Sequence, residues 1–296
     1  MVCKHSEFLH PNDLRLSRMG DFSIIGGGAN CLESGFDSTN VQGTAITAAN
    51  SAHTKGSYVE LLSAANNTYS SDFIEVVVTN DSQLNDGAFL VDIAIGSAGN
   101  EEDIIPNLWC HASSTLGGLA VYKFPFPITM PPGVKIAARC QSSIADAVTH
   151  VHIIRHRKSL SQTPGLGRVT AIGVNTNDTS GVIVLRTTAG TWGSWTEITS
   201  ATAKPIKGFV VVGVKITDSW SQGSQLGFEV AVGSADNEEA IYTGGTIQMN
   251  GPEGNAGPVT LFIPVQIAVG ERIAIRAVGN LTNTDLDLDY VIYGVD

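Results

Sequence analysis

Residues 89–104 read FLVDIAIGSAGNEEDI, and residues 226–241 read LGFEVAVGSADNEEAI. At an offset of 137 (231 − 94), eight of the eleven positions from 94 to 104 are identical: Ala94, Gly96, Ser97, Ala98, Asn100, Glu101, Glu102 and Ile104. The same offset carries Gly56-Ser57-Tyr58-Val59-Glu60-Leu61 onto Gly193-Ser194-Trp195-Thr196-Glu197-Ile198. It also carries Gly133-Val134-Lys135-Ile136-Ala137-Ala138-Arg139 onto Gly270-Glu271-Arg272-Ile273-Ala274-Ile275-Arg276. Three blocks at one offset make the chain a tandem duplication of a single domain. Each copy then has somewhat over 100 residues, an ordinary domain size.

The pattern inside the repeats is that of strands. Phe89, Val91, Ile93 and Ile95 fall on one face, with Leu90, Asp92 and Ala94 opposite, and Phe228, Val230 and Val232 repeat the inward set. Apolar runs lie near 43–48, 57–62, 72–79, 87–96, 103–110, 118–126, 133–140 and 148–155 in copy 1. They lie near 181–187, 194–199, 208–217, 225–233, 240–249, 258–266, 271–278 and 287–294 in copy 2. Asn85-Asp86-Gly87 and Pro131-Pro132-Gly133 are turn signals. Long Ala/Leu/Glu/Lys-rich stretches are nearly absent, which leaves little room for helix. The expectation is all-β: two tandem antiparallel β-sandwiches, jelly-roll-like in strand number, with an immunoglobulin-like order also compatible. The domain plan reads as an extended N-terminal arm (1–40), copy 1 (41–156), a Gly/Pro/Ser linker (157–170) and copy 2 (171–296).

Charge narrows the function classes. The net charge of −11 disfavours non-specific nucleic-acid binding. Basic residues cluster around the linker, at Arg155, Arg157, Lys158 and Arg168. The cluster reads either as a solvated connector or as a contact with an acidic neighbour. Residues 1–20 lack the apolar core of a signal peptide, and no apolar run approaches the ~18 residues of a membrane span. Cys3, Cys31, Cys110 and Cys140 have no metal-type spacing, so free thiols in a reducing compartment are expected.

Several polar groupings are candidates for chemistry. Asn100, Glu101, Glu102 and Asp103 bring oxygens to one turn and are the weak candidates for a hard cation, although such sites usually take about six oxygens. Folding alone also accounts for that turn, with glycine setting it and asparagine capping it. His150 and His152 share one strand face, with His156 nearby, and a surface face is the better reading. Trp192 and Trp195 stand where copy 1 has Lys55 and Tyr58. Tyr58 and Trp195 read as matched core residues, which leaves Trp192 as the candidate sugar contact. Gly26-Gly27-Gly28 lacks the frame of a phosphate loop, and no GxSxG occurs. Adjacent glutamates on a strand point to opposite faces, a poor arrangement for paired-carboxylate catalysis. No enzyme and no cofactor are expected. In the arm, Phe22, Ile24 and Ile25 are apolar for a free tail, and with Arg155, Arg157 and Lys158 they are the candidate partner contacts.

The blocks resemble those of phage virion-associated β proteins, many without assigned function. The resemblance rests on Gly193-Ser194-Trp195-Thr196-Glu197-Ile198 and on Ile95-Gly96-Ser97-Ala98-Gly99-Asn100-Glu101. It also rests on Phe126-Pro127-Ile128 through Gly133 to Ile136-Ala137-Ala138-Arg139-Cys140-Gln141. It covers both repeats and neither the arm nor the linker. Pro131-Pro132 become Ala268-Val269 in copy 2, a departure from the pattern. The resemblance implies a virion component made in the host bacterial cytoplasm: a capsid-decoration, neck, tail or fibre protein. Its expected partners are other copies of itself, as a homotrimer or another cyclic oligomer, and capsid or neck/tail proteins. The alternative is a receptor-recognition module that binds a host surface glycan.

Overall fold

A computed structural model describes residues 31–35, 42–80, 87–112, 120–157, 167–184, 189–214, 224–249, 255–256, 259–279 and 288–296. Phe22, Ile24, Ile25 and Lys158 lie outside the described residues, as does the side chain of Arg157.

Copy 1 is built from β1 (Cys31–Ser34), β2 (Thr44–Thr47), β3 (Val59–Leu62), β4 (Ser71–Asn80), β5 (Gly87–Ile95), β6 (Glu102–Ala112), β7 (Ala120–Phe126), β8 (Ile136–Ser142) and β9 (Val148–Arg157). Copy 2 follows with β10 (Val169–Ile172), β11 (Val182–Val184), β12 (Thr196–Thr199), β13 (Gly208–Val214), β14 (Ser224–Val232), β15 (Glu239–Met249), β16 (Asn255–Ala256), β17 (Ile273–Gly279) and β18 (Leu288–Val295). No helix occurs among the described residues. In copy 1 the two sheets run β2-β9-β4-β7 and β3-β8-β5-β6, all antiparallel. Consecutive strands thus alternate between facing sheets except at the β5–β6 hairpin, which is the jelly-roll order. Copy 2 repeats it with β11-β18-β13 and β12-β17-β14-β15, and β16 added at the edge. Where copy 1 has β7, copy 2 has isolated bridges, Phe209 to Ile263 and Val212 to Val259, in place of a continuous strand.

The duplicated turn follows from backbone geometry. Gly96 and Gly233 adopt φ of +132° and +109°. A Cβ at Gly96 would stand 2.3 Å from the Asn100 carbonyl oxygen, and one at Gly233 would stand 2.7 Å from that of Asn237. Only glycine permits both the positive φ and this approach.

The arm boundary expected at residue 40 is corrected. β1 pairs antiparallel with the C-terminal half of β9, Cys31 opposite His156 and Ser34 opposite Ile153. β10 pairs in the same way with β18, Val169 opposite Val295 and Ile172 opposite Ile292. Each copy therefore opens with a short strand that shares its partner with the next one. The linker is also shorter than 157–170, since β9 runs through Arg157 and β10 begins at Val169.

The two sandwiches interlock. β18 is buried on both faces. Tyr290 and Ile292 enter the core of copy 2, whereas Val291, Tyr293 and Val295 join the apolar cluster of copy 1. Tyr293 stands edge-on to Phe124 and Phe126, at centroid distances of 5.7 and 6.2 Å. Its hydroxyl accepts from the Trp109 N–H (2.6 Å) and donates to the Asn107 carbonyl (3.0 Å). Both are backbone groups of β6, the outermost strand of its sheet. The contact closes that sheet edge, which would otherwise offer unpaired backbone to another chain.

Candidate functional site

The outward faces of the β3-β8-β5-β6 sheet and of its copy 2 counterpart carry equivalent polar clusters. Asp92 lies directly across from Arg139, and Glu229 directly across from Arg276. Strand alternation aims all four away from the cores, and cross-strand neighbours of opposite charge meet at this spacing.

In copy 1 the cluster is closed. Asp92, only 2% exposed at its side chain, accepts from Lys55 Nζ (2.6 Å), Arg139 Nε (2.8 Å) and the Asn107 backbone N–H (2.8 Å). Arg139 also donates to Asp103 (2.9 Å), which accepts from the Tyr58 hydroxyl (2.6 Å). Burial lowers the Lys55 pKa, against the pull of Asp92, and burial raises that of Tyr58. A loop of copy 2 lies over the adjoining surface. Trp109 Nε1 donates to the Thr179 carbonyl (3.1 Å), and Gln141 Nε2 donates to Thr176 O (2.7 Å). Thr179 Oγ1 meets His53 Nδ1 at 2.9 Å. Leu90 and Trp109, on this outward face, are fully buried.

Copy 2 keeps the ion pair and changes its surroundings. Arg276 reaches Glu229 Oε2 through Nε (2.7 Å) and Nη2 (2.6 Å). Its guanidinium lies 4.4 Å from the Trp195 ring centroid and 5.1 Å from that of Trp192, within cation–π range. Trp192 replaces Lys55, Ala240 replaces Asp103, Gly244 replaces Asn107, and Gly227 replaces Leu90. The Trp192 ring extends toward Gly227, whose absent Cβ would lie 3.8 Å from Trp192 Cη2. Trp192 is 36% exposed, and Thr246, at the position of the buried Trp109, is exposed. The result is an open aromatic platform with a guanidinium and a carboxylate beside it.

Several expectations change here. Tyr58 and Trp195 are matched, but they are half-buried residues of the outward face rather than core. Arg155 points inward and is fully buried, so it is not a partner contact. The candidate cation ligands diverge. Glu101 pairs with Lys135 (2.5 Å), Glu102 with Arg168, and Asp103 with Arg139. Among the described residues no group of three His, Cys, Asp or Glu side chains is placed to hold a metal ion. The salt link to Lys135 keeps the Glu101 pKa low. In copy 2 the equivalent Arg272 is held by Glu197 (2.8 Å) and Glu238 (3.1 Å). The repeated glutamate thus fastens its turn to the next strand. His150 and His152 lie on the outward face of β9, and His156 Nε2 meets Glu75 Oε1 at 3.0 Å. Cys110 and Cys140 are buried, and burial pushes the Cys140 pKa up to about 12. On sequence grounds alone Trp195, Glu229 and Arg276 do not form a site. Their signal was the outward alternation shared with Asp92 and Arg139, which periodicity makes available only once the sheet partners are known.

No family model and no curated protein matches the chain. Among solved structures, PNGF-II in two crystal forms gives TM-scores of 0.34 and 0.33 at 7% and 8% identity. The match covers 90% of this chain and 66% and 65% of those chains, so this chain spans about two thirds of theirs. The N-terminal CBM22-1–CBM22-2 tandem domain of Paenibacillus barcinonensis Xyn10C gives a TM-score of 0.28 at 11% identity, over 92% of each chain. Likenesses at this level carry no argument about what the chain binds.

Proposed function

We propose that this is a non-enzymatic binding protein that recognises carbohydrate through the outward face of copy 2, as a receptor-recognition module in host adsorption. The observation that carries this reading is the half-exposed Trp192 ring beside the Arg276–Glu229 pair, where copy 1 has the Lys55 ammonium tied to a buried Asp92. An indole ring offers a flat apolar face to sugar C–H groups, and the adjacent charged pair offers oriented hydrogen bonds to hydroxyls. Copy 1 has Lys55 in place of that ring and is covered by copy 2 beside it, so one ligand per chain is expected. Screening on a glycan array and titration calorimetry test the reading. Trp192→Ala should weaken binding by about tenfold or more, about 1.4 kcal/mol. Its thermal midpoint should stay near that of the parent, since the ring is at the surface. Binding unchanged by this substitution would move the site elsewhere.

A second reading is a virion structural component, a capsid-decoration or neck/tail-associated protein attached through its N-terminal arm. It is favoured by the phage-like blocks in both repeats. Such a component would associate with copies of itself and with other virion proteins. Its test is the position and copy number of the chain in intact particles: uniform stoichiometric coating of capsids supports decoration, and a few copies at the tail support adsorption.

A further inference from the structure

We infer that the copy 2 platform selects neutral, hydroxyl-rich saccharides and discriminates against anionic ones; this rests on the carbohydrate reading above. The argument is the state of the cations at the site. A lone exposed arginine beside two tryptophans would favour a uronate, sialate or phosphate group. Arg276 is not in that state. Both of its contacts with Glu229 fall on one carboxylate oxygen, Oε2, at 2.7 and 2.6 Å. Its guanidinium also lies against Trp195 and Trp192. The charge is neutralised where a ligand would meet it. The next cation on this side of the sheet, Arg272, is held by Glu197 and Glu238 and also donates to the Gly233 carbonyl (3.2 Å). Two guanidinium groups therefore face three carboxylates, and the cluster is net acidic. An anionic sugar would approach this field without a free cation to receive it.

A neutral pyranose meets no such opposition. Its C–H face covers the Trp192 ring, and beside that ring Gly227 adds no side chain, so the apolar Val278 side chain, with Cγ1 3.0 Å from where a Cβ would stand, adjoins it. Glu229 is only 12% exposed at its side chain, and among the described residues its Oε1 accepts no hydrogen bond. A carboxylate oxygen in that position accepts from a sugar hydroxyl, a donor that anionic substituents do not supply. Guanidinium N–H groups not engaged by Glu229 can donate to a neighbouring hydroxyl oxygen. In copy 1 the same carboxylate position, Asp92, accepts from three donors, with both oxygens engaged.

The test compares the full chain against neutral hexaoses (malto-, cello- and manno-series) and an acidic galacturonate hexamer, by calorimetry at low and at physiological salt. The neutral class should bind at least about tenfold more tightly, and the gap should narrow with salt as screening grows. Glu229→Gln removes the neutralising carboxylate and should shift selectivity toward the acidic oligomer. Trp192→Ala should weaken binding of both by about tenfold or more, with circular dichroism and the thermal midpoint reporting that each variant is folded. Equal or tighter binding of the acidic oligomer by the parent chain, sensitive to Trp192→Ala, would overturn the neutral preference and leave the carbohydrate reading standing. No binding of any array glycan or of either oligomer class would overturn both.

Discussion

Arg155 of copy 1 stands where copy 2 has Gly294, by strand register, and Ser71 stands where copy 2 has Ile206, since Ser71 bridges Met130 as Ile206 bridges Ile267. The Arg155 guanidinium is buried, donates to Ser34 Oγ (3.1 Å) and Asn67 Oδ1 (2.6 Å), and lies 4.4 Å from the Tyr69 ring centroid. At Gly294 the same space is filled from the other side, since a Cβ there would stand 2.7 Å from Ile206 Cδ1. The two copies thus solve one packing problem with different pairs. Arg155→Ala should cost roughly 2–4 kcal/mol in denaturant unfolding, because it opens a cavity and strips partners from Ser34 and Asn67. Arg155 belongs to the basic cluster around the linker, yet it shares strand parity with Val151 and Ile153, which are core. Parity, rather than charge, predicts its direction. Glu75 gives a pH prediction. Its hydrogen bond to His156 holds its pKa below the usual carboxylate range. A depressed folded-state pKa contributes stability above the ordinary glutamate value, lost as pH falls through the folded value. Stability should therefore drop below about pH 4, and Glu75→Gln should flatten that drop in unfolding midpoints measured across the acid range.

Among the elements, no expected run covers β1 or β10, while the other core strands of both copies overlap their expected runs. Both are four residues long, too short for alternation to register. What holds them is pairing with the far halves of β9 and β18, a partner no local pattern names. Deletion of residues 1–40 removes β1 and the Ser34 partner of Arg155, so it should lower the thermal midpoint by several degrees. Deletion of residues 1–30 spares that strand, and the two truncations should differ by calorimetry. The run expected at 258–266 is the opposite case. Pro264 follows Ile263, and the segment makes bridges rather than a ladder. The edge strand β6 carries a further prediction. Tyr293→Phe deletes the hydroxyl that serves both Trp109 N–H and Asn107 C=O, and should cost about 1–3 kcal/mol.

At the scale of the whole molecule, the copies share one apolar cluster. Val169, Val210, Val212, Val291, Tyr293 and Val295 of copy 2 pack with Trp109, Phe124 and Phe126 of copy 1. The pair should unfold in one calorimetric transition. Copy 1 expressed alone would present those aromatics to solvent, and should be less stable and prone to self-association. Cleavage between 158 and 166 should leave the two halves together on gel filtration, whereas Tyr293→Ala combined with cleavage should separate them.

The sequence by itself determined the duplication, the all-β class, the inward and outward faces of the long strands and the glycine turns. These are local properties: strand parity and positive φ act over a few residues, and the repeat states them twice. The tertiary structure decided which of two equivalent faces remains open. Lys55, Asp92, Asp103 and Arg139 become a closed cluster, and Trp192, Trp195, Glu229 and Arg276 an open one, through partners 36 (139 − 103) to 84 (276 − 192) positions away in sequence. The covering of copy 1 by Thr176 and Thr179, and of its edge by Tyr293, follows from how one sandwich docks on the other. That docking joins residues as far as 186 positions apart, beyond the reach of any periodicity.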